Sequence, residues 1–179
     1  MNAPKLTPYK DALTKSMNYL AQFDNTIFIG QQIVFAGNPM STTLLEIDKG
    51  KMIELPVMEE TQMGFGLGLS CTGYHVISFY PRWDFIISAS NQLINHVDKF
   101  EIMTGKKPNL LIRLGKGSDK PLDPGHQHKG NYLNEFRSLC KNISFHNLDN
   151  TADIFEIYRY CYHQGGVHVL VEYPELYYA

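Results

Sequence analysis

Residues 51–80 constrain the fold more than any other stretch of this chain. Lys51-Met52-Ile53-Glu54-Leu55 alternates apolar residues with charge and stops at Pro56, which has no N–H to give a strand ladder. Glu59 and Glu60 then open a segment of helical spacing, where the unpaired N–H groups of a helix start favour negative charge. A second apolar run, residues 74–80, follows Gly73. Strand, helix and strand within about thirty residues is a βαβ unit, and its two strands lie parallel.

Within that helix Gly64 and Gly68 stand four apart and share a face. Each costs about 1 kcal/mol relative to Ala in a helix interior, so a neighbour in close approach is expected there, within the fold or across an interface. The rest of the chain repeats the alternation. Thr7-Pro8 caps and starts a helix carried by Ala12, Leu13, Met17, Leu20 and Ala21 up to Phe23. Strands are predicted at 26–29 before Gly30, at 110–112, near 143–145 and at 167–172. Helices are predicted near 132–140, over 152–162, and over 85–103, the last capped by Asp84, with Ile86, Leu93, Val97 and Phe100 inward and Gly105 at its end. Residues 115–130 read as a glycine-, proline- and charge-rich loop. The whole predicts an α/β fold, a three-layer doubly wound and mostly parallel sheet with helices on both faces, as one domain over 1–179.

Sixteen basic against eighteen acidic residues give a formal charge of -2, which offers no overall attraction to nucleic acid or to an anionic membrane. No apolar run approaches the roughly 20 residues of a membrane span, and Met1-Asn2-Ala3-Pro4-Lys5 has no apolar leader core, so a cytoplasmic location is expected. Cys71, Cys140 and Cys161 are odd in number and widely spaced, which fits free thiols rather than a disulfide framework or a zinc site. Glu59 has two readings, a complement to the helix dipole alongside Glu60 or a carboxylate presented at a strand end for chemistry. His126-Gln127-His128 has three, an acid–base site, a solvated loop, or metal ligands together with Asp119 and Asp123. His75, His146, His163 and His168 read as structural or exposed. Lys106, Lys107, Arg113, Lys116 and Lys120 gather around the 115–130 loop, as solvated charges or as a patch that attracts anions. The aromatic tail Tyr173–Tyr178 reads as a surface that docks on another subunit.

The order of landmarks carries a family resemblance. Pro56-Val57-Met58-Glu59 is followed by Gly64, Gly68 and Gly73, then by Asp84-Phe85, Asn91-Gln92-Leu93-Ile94-Asn95-His96, Lys99, Met103-Thr104-Gly105 and Gln127-His128. Glu172 with Leu176-Tyr177 closes the series. This resembles the pyrimidine-binding domain of the transketolase-like thiamine diphosphate enzymes, in particular the beta subunits of the decarboxylating component of pyruvate and other 2-oxoacid dehydrogenases. The resemblance implies that Glu59 hydrogen-bonds a ring nitrogen of the aminopyrimidine. The imino tautomer this favours then lets the exocyclic nitrogen take the proton of the thiazolium carbon. It likewise makes Phe85 the aromatic packed on the pyrimidine ring, or a plain core residue, and His128 the histidine that meets the substrate oxygen.

By the same resemblance the diphosphate and its Mg2+ belong to a partner, an alpha-type subunit, because no Gly-Asp-Gly motif with a downstream Asn stands in this sequence. No metal is expected on this chain, and the further C-terminal domain of the beta subunits is not expected either. Self-association through the Gly64/Gly68 helix and a heterotetramer with the partner follow, with a 2-oxoacid or ketose as substrate. The alternative is a non-catalytic assembly or regulatory module of the same fold. Phe79, Pro81-Arg82, Lys129 and Gln31-Gln32 depart from the family pattern and bear on which substrate is taken.

Overall fold

Six strands form one all-parallel sheet in the computed structural model, which describes residues 7–35, 37–120 and 122–178. The stretch Met1–Lys5 lies outside them. In chain order the strands are β1 (Thr26–Gly30), β2 (Met52–Glu54), β3 (His75–Tyr80), β4 (Asn109–Gly115), β5 (Ser144–Asn147) and β6 (Gly166–Glu172), arranged β2-β1-β3-β4-β6-β5. The helices are α1 (Pro8–Ala21), α2 (Glu59–Cys71), α3 (Trp83–Ser88), α4 (Phe100–Thr104), α5 (Leu133–Leu139) and α6 (Ile154–Gln164). This is the doubly wound, three-layer architecture the alternation predicts. No described helix is long and apolar enough to cross a membrane.

Strand alternation divides the core between the two faces. On one face Ile29, Val76, Leu110, Ile112, Val167 and Val169 meet Met63 and Leu67 of α2 together with Trp83 and Ile86 of α3. On the other, Phe28, Ile77, Phe79, Leu111 and Leu170 meet Leu13, Met17 and Leu20 of α1 and Ile154, Tyr158 and Cys161 of α6. Thr7 caps α1 as its sequence predicts, its Oγ1 accepting from Lys10 N at 3.2 Å ahead of Pro8.

One local expectation is corrected. The helix predicted over 85–103 is three pieces, because a π-helical stretch, Gln92–Val97, separates α3 from α4. Leu93 O accepts from Asp98 N at 2.9 Å, a bond spanning five residues that widens one turn while keeping Leu93 and Val97 inward. The glycine pressed into the sheet is Gly66, where an added Cβ would lie 3.1 Å from Ile29 Cδ1. Gly68 is exposed with open space around it, and Gly64 faces only the Gln92 side chain.

Buried imidazoles give the fold a pH dependence. Burial holds His75, His146 and His168 below the usual range, and His146 sits at about 4. Unfolded imidazoles take protons below about pH 6.5, whereas this folded one resists until near its depressed value, so stability falls as pH drops through that window. Melting temperatures recorded by circular dichroism between pH 7 and 5, in EDTA, are expected to fall with pH, and His146→Gln is expected to flatten the slope. Parallel slopes in the two proteins would contradict this.

Candidate functional site

Chains of parallel strands place their binding crevice beyond the carboxyl ends, where successive crossovers leave in opposite directions. Here that point is β1, flanked by β2 and β3. A cleft of about 570 Å³ opens there, and its walls come from the loops that leave strand ends: Gln31 after β1, Val57 after β2, Arg82 after β3, Lys120 and Leu122 after β4, and Tyr178 after β6. Phe85 of α3 lines it as well.

The loop after β1 is fixed from below by Glu54, the last residue of β2. Its Oε1 accepts from Gln32 N at 2.5 Å, and its Oε2 accepts from Ile33 N at 2.9 Å and Val34 N at 3.0 Å. These bonds hold Gln32 in the left-handed region, φ 56°, which is costly for a residue with a side chain. They thereby aim Gln31 at the cleft. Glu54→Ala is expected to destabilise the chain by about 1–2 kcal/mol in urea titrations and to raise hydrogen exchange at the amides of residues 32–34; unchanged exchange there would refute the anchor.

Glu59 begins α2 and is 9% exposed. Its Oε1 accepts from Gln31 Nε2 at 3.0 Å, and its backbone carbonyl accepts from the Tyr80 hydroxyl at 3.2 Å. Oε2 has no partner among the described residues and is not sealed from solvent. One carboxylate oxygen is thus held in place while the other is unpartnered. Phe85 and His128 come together, ring centroids 5.4 Å apart, although they lie far apart in sequence. His128 Nδ1 is buried with no hydrogen-bond partner among the described residues, a state that buried polar atoms rarely keep unless something else meets them.

The loop carrying His128 is tied to the start of α3. Arg82 Nη1 donates to His128 O at 3.2 Å, and Gly130 N and the Tyr132 hydroxyl donate to the Asp84 carboxylate at 3.3 and 3.4 Å. Asp84 therefore anchors this loop and does not cap the helix, whose N-cap is Arg82. The metal reading of His126 and His128 loses its carboxylates: Lys129 Nζ lies 2.5 Å from Asp119 and 2.8 Å from Asp123, pairs that occupy both.

The basic patch read from sequence is dispersed. Lys107 Nζ donates to Gln164 O at the opposite end of β4, and Lys116 sits over the Tyr173 ring. Arg113 is fully buried beside Glu172. Glu172 Oε1 accepts from Arg113 Nε at 2.5 Å and from the Tyr158 hydroxyl at 2.7 Å, while Oε2 accepts from Arg113 Nη2 at 2.9 Å and from the Tyr177 hydroxyl. Arg113 Nη1 reaches Thr43 Oγ1 at 3.1 Å, and the guanidinium lies 4.4 Å from the centre of the Phe79 ring. Burial first, and the Glu172 charge second, push the Tyr158 and Tyr177 phenols well above their usual range. This network welds the carboxyl ends of β4 and β6. It also folds the aromatic tail onto its own chain: Tyr177 is buried, and only Tyr178 of the final pair is exposed, at the cleft. Glu54 was not legible as a site residue, Gln31 and Arg82 stood out only as departures from the family pattern, and the pairing of Arg113 with Glu172 was not foreseen. Their shared signal is a polar residue at or just beyond the end of an apolar strand.

An open parallel sheet with this strand order and a crevice at the switch point is a doubly wound three-layer fold. A split-gene transketolase, solved as an inactive beta4 tetramer, superposes with a TM-score of 0.71 and 15% identity, covering 93% of this chain and 52% of that one. Among curated proteins the chain is similar to the mitochondrial 2-oxoisovalerate dehydrogenase subunit beta 2 of Arabidopsis thaliana, 28% identical over 113 residues, which are 60% of this chain and 32% of that protein. It is also similar to the mitochondrial 2-oxoisovalerate dehydrogenase subunit beta of Chaetomium thermophilum, 28% identical over 97 residues, 53% of this chain and 20% of that protein. The chain thus spans a third or less of the curated relatives it matches. No family model matches it.

Proposed function

We propose that this chain is the pyrimidine-domain subunit of a thiamine diphosphate-dependent enzyme that cleaves the bond next to the carbonyl of a 2-oxo acid. Glu59, with Oε1 held by Gln31 and Oε2 free, is the observation that carries the proposal. Thiamine diphosphate, when bound, supplies the carbon nucleophile for that cleavage. Glu59 offers Oε2 to a ring nitrogen of the aminopyrimidine, and the Gln31 bond keeps the carboxylate from turning away. Phe85 gives the ring an apolar wall that excludes water. His128, whose ring packs beside Phe85, is the group that hydrogen-bonds or exchanges a proton with the substrate oxygen. The charged groups described in the cleft wall, Arg82 and Lys120, are both cations, which favours a carboxylate-bearing 2-oxo acid over a neutral sugar.

The diphosphate and its Mg2+ fall to an alpha-type partner subunit, a reading supported by the split-gene transketolase that shares this fold. The outer face of α2, with exposed Phe65 and the open Gly68, is the surface for self-association and for a heterotetramer with that partner. The structural neighbour is inactive as a tetramer of its beta chains alone, and the same is expected of this chain. The test mixes the purified chain with a candidate partner that carries Gly-Asp-Gly and a downstream Asn, adds thiamine diphosphate and Mg2+, and follows reduction of dichlorophenolindophenol with 2-oxoisovalerate or pyruvate. Turnover only in the complete mixture supports the proposal. A stable complex that binds no thiamine diphosphate overturns it.

A further inference from the structure

On the face of the sheet covered by α6, three side chains converge at the β5 edge. Ser144 pairs with His168 and His146 with Leu170 in the β5–β6 register, so His146 and His168 point to one face, where Cys161 of α6 lies over them. His146 Nε2 is 3.1 Å from His168 Nδ1 and 3.4 Å from Cys161 Sγ, and all three ligand atoms fall within 4.8 Å of one another. We propose that His146, His168 and Cys161 form a zinc site with two imidazole nitrogens and one thiolate as ligands. It is separate from the cleft and independent of the function proposed above.

The spacing suits the ion. Zn–N bonds of about 2.0–2.1 Å and a Zn–S bond of about 2.3 Å give a tetrahedron with edges of roughly 3.3 Å between nitrogens and roughly 3.6 Å between nitrogen and sulfur. The two separations that involve His146 need widening by only a few tenths of an ångström, while His168 Nδ1 and Cys161 Sγ, within 4.8 Å of each other, draw together toward the same edge length. The orientation is fixed from outside the trio: His168 Nε2 lies 3.0 Å from Gly165 O, a carbonyl that can only accept, so Nε2 carries the hydrogen and Nδ1 presents a bare lone pair to the cluster. Two imidazoles and a thiol are borderline-to-soft donors, which select zinc over Mg2+ or Ca2+. Binding exchanges the Cys161 S–H bond for a sulfur–zinc bond and releases one proton to solvent. His146 is half-buried on the edge strand, and a water molecule is the fourth ligand that three protein donors leave room for. The ion would staple β5 to α6.

A hydrogen-bonded trio without metal is the competing arrangement. The deciding experiment titrates cobalt(II) into the metal-free full chain carrying Cys71→Ser, which removes the exposed thiol. The zinc site predicts a cysteinate-to-cobalt charge-transfer band that saturates at one equivalent, is bleached by zinc, and is lost in both Cys161→Ala and His146→Gln. His146→Gln is the control against unfolding, since that residue is half-buried, and its far-ultraviolet circular dichroism is expected to match the parent. Absence of the band in the parent, or its survival in either variant, overturns the proposal.

Discussion

Glu59→Gln in the proposed assembly with the partner subunit is expected to lower turnover by about 10²–10⁴-fold, the range that a positioned proton-transfer group contributes. The substitution is nearly isosteric, and the amide oxygen can still accept from Gln31, so the helix start and its 9% exposure should persist. What changes is the atom now held at Oε2: an amide presents either a neutral oxygen or an NH2 group, and neither can share a proton with a ring nitrogen as a carboxylate can. The loss should appear in kcat rather than KM, and thiamine diphosphate binding should weaken far less than turnover. Near wild-type kcat would remove Glu59 from the chemistry and leave the helix-dipole reading in its place.

Glu172→Ala is expected to destabilise the chain by about 3–5 kcal/mol, because it leaves the Arg113 guanidinium buried without its counter-charge. Neither side chain of that pair is exposed, and the Tyr158 and Tyr177 hydroxyls lose their acceptor in the same step. Against a total stability of about 5–15 kcal/mol for an ordinary domain, this approaches unfolding at physiological temperature. The double variant Arg113→Met with Glu172→Leu is expected to cost much less, since an apolar pair of similar volume leaves no charge stranded. Urea denaturation of the three proteins decides it. A single variant no worse than the double one would mean that water or another group compensates Arg113.

The parts of the fold that follow from local chemistry were legible. The βαβ unit at 51–80, the Thr7 cap and the Gly105 stop, which has φ 69°, all stand where the sequence puts them. The break in the helix after α3 was not, because apolar spacing counts faces rather than residues per turn, and one widened turn leaves Ile86, Leu93 and Val97 on the same side. Asp84 looks like a cap because it precedes an apolar run, but the helix starts a residue earlier at Trp83, whose ring stacks on Phe136 at 5.3 Å. Arg113 looks like a loop cation because lysines flank its neighbourhood. Strand β4, however, runs through it to Gly115, and Glu172 waits at the matching end of β6, a long-range pairing that no short window of sequence contains. For the candidate site, sequence and resemblance singled out Glu59, Phe85 and His128 without giving their surroundings. The Gln31 bond to Glu59 and the contact of Phe85 with His128 depend on loops meeting at the sheet's edge.

The most direct test of the central claim follows the hydrogen on the thiazolium carbon of thiamine diphosphate bound to the mixed assembly, because that measurement needs no knowledge of the substrate. The complex is placed in D2O, quenched in acid at intervals, and the remaining signal read by proton NMR. If the Glu59 carboxylate activates the coenzyme, exchange in the wild-type assembly is faster than in the Glu59→Gln assembly by at least about 10²-fold. Equal exchange rates in the two assemblies, both with the coenzyme bound, would contradict it.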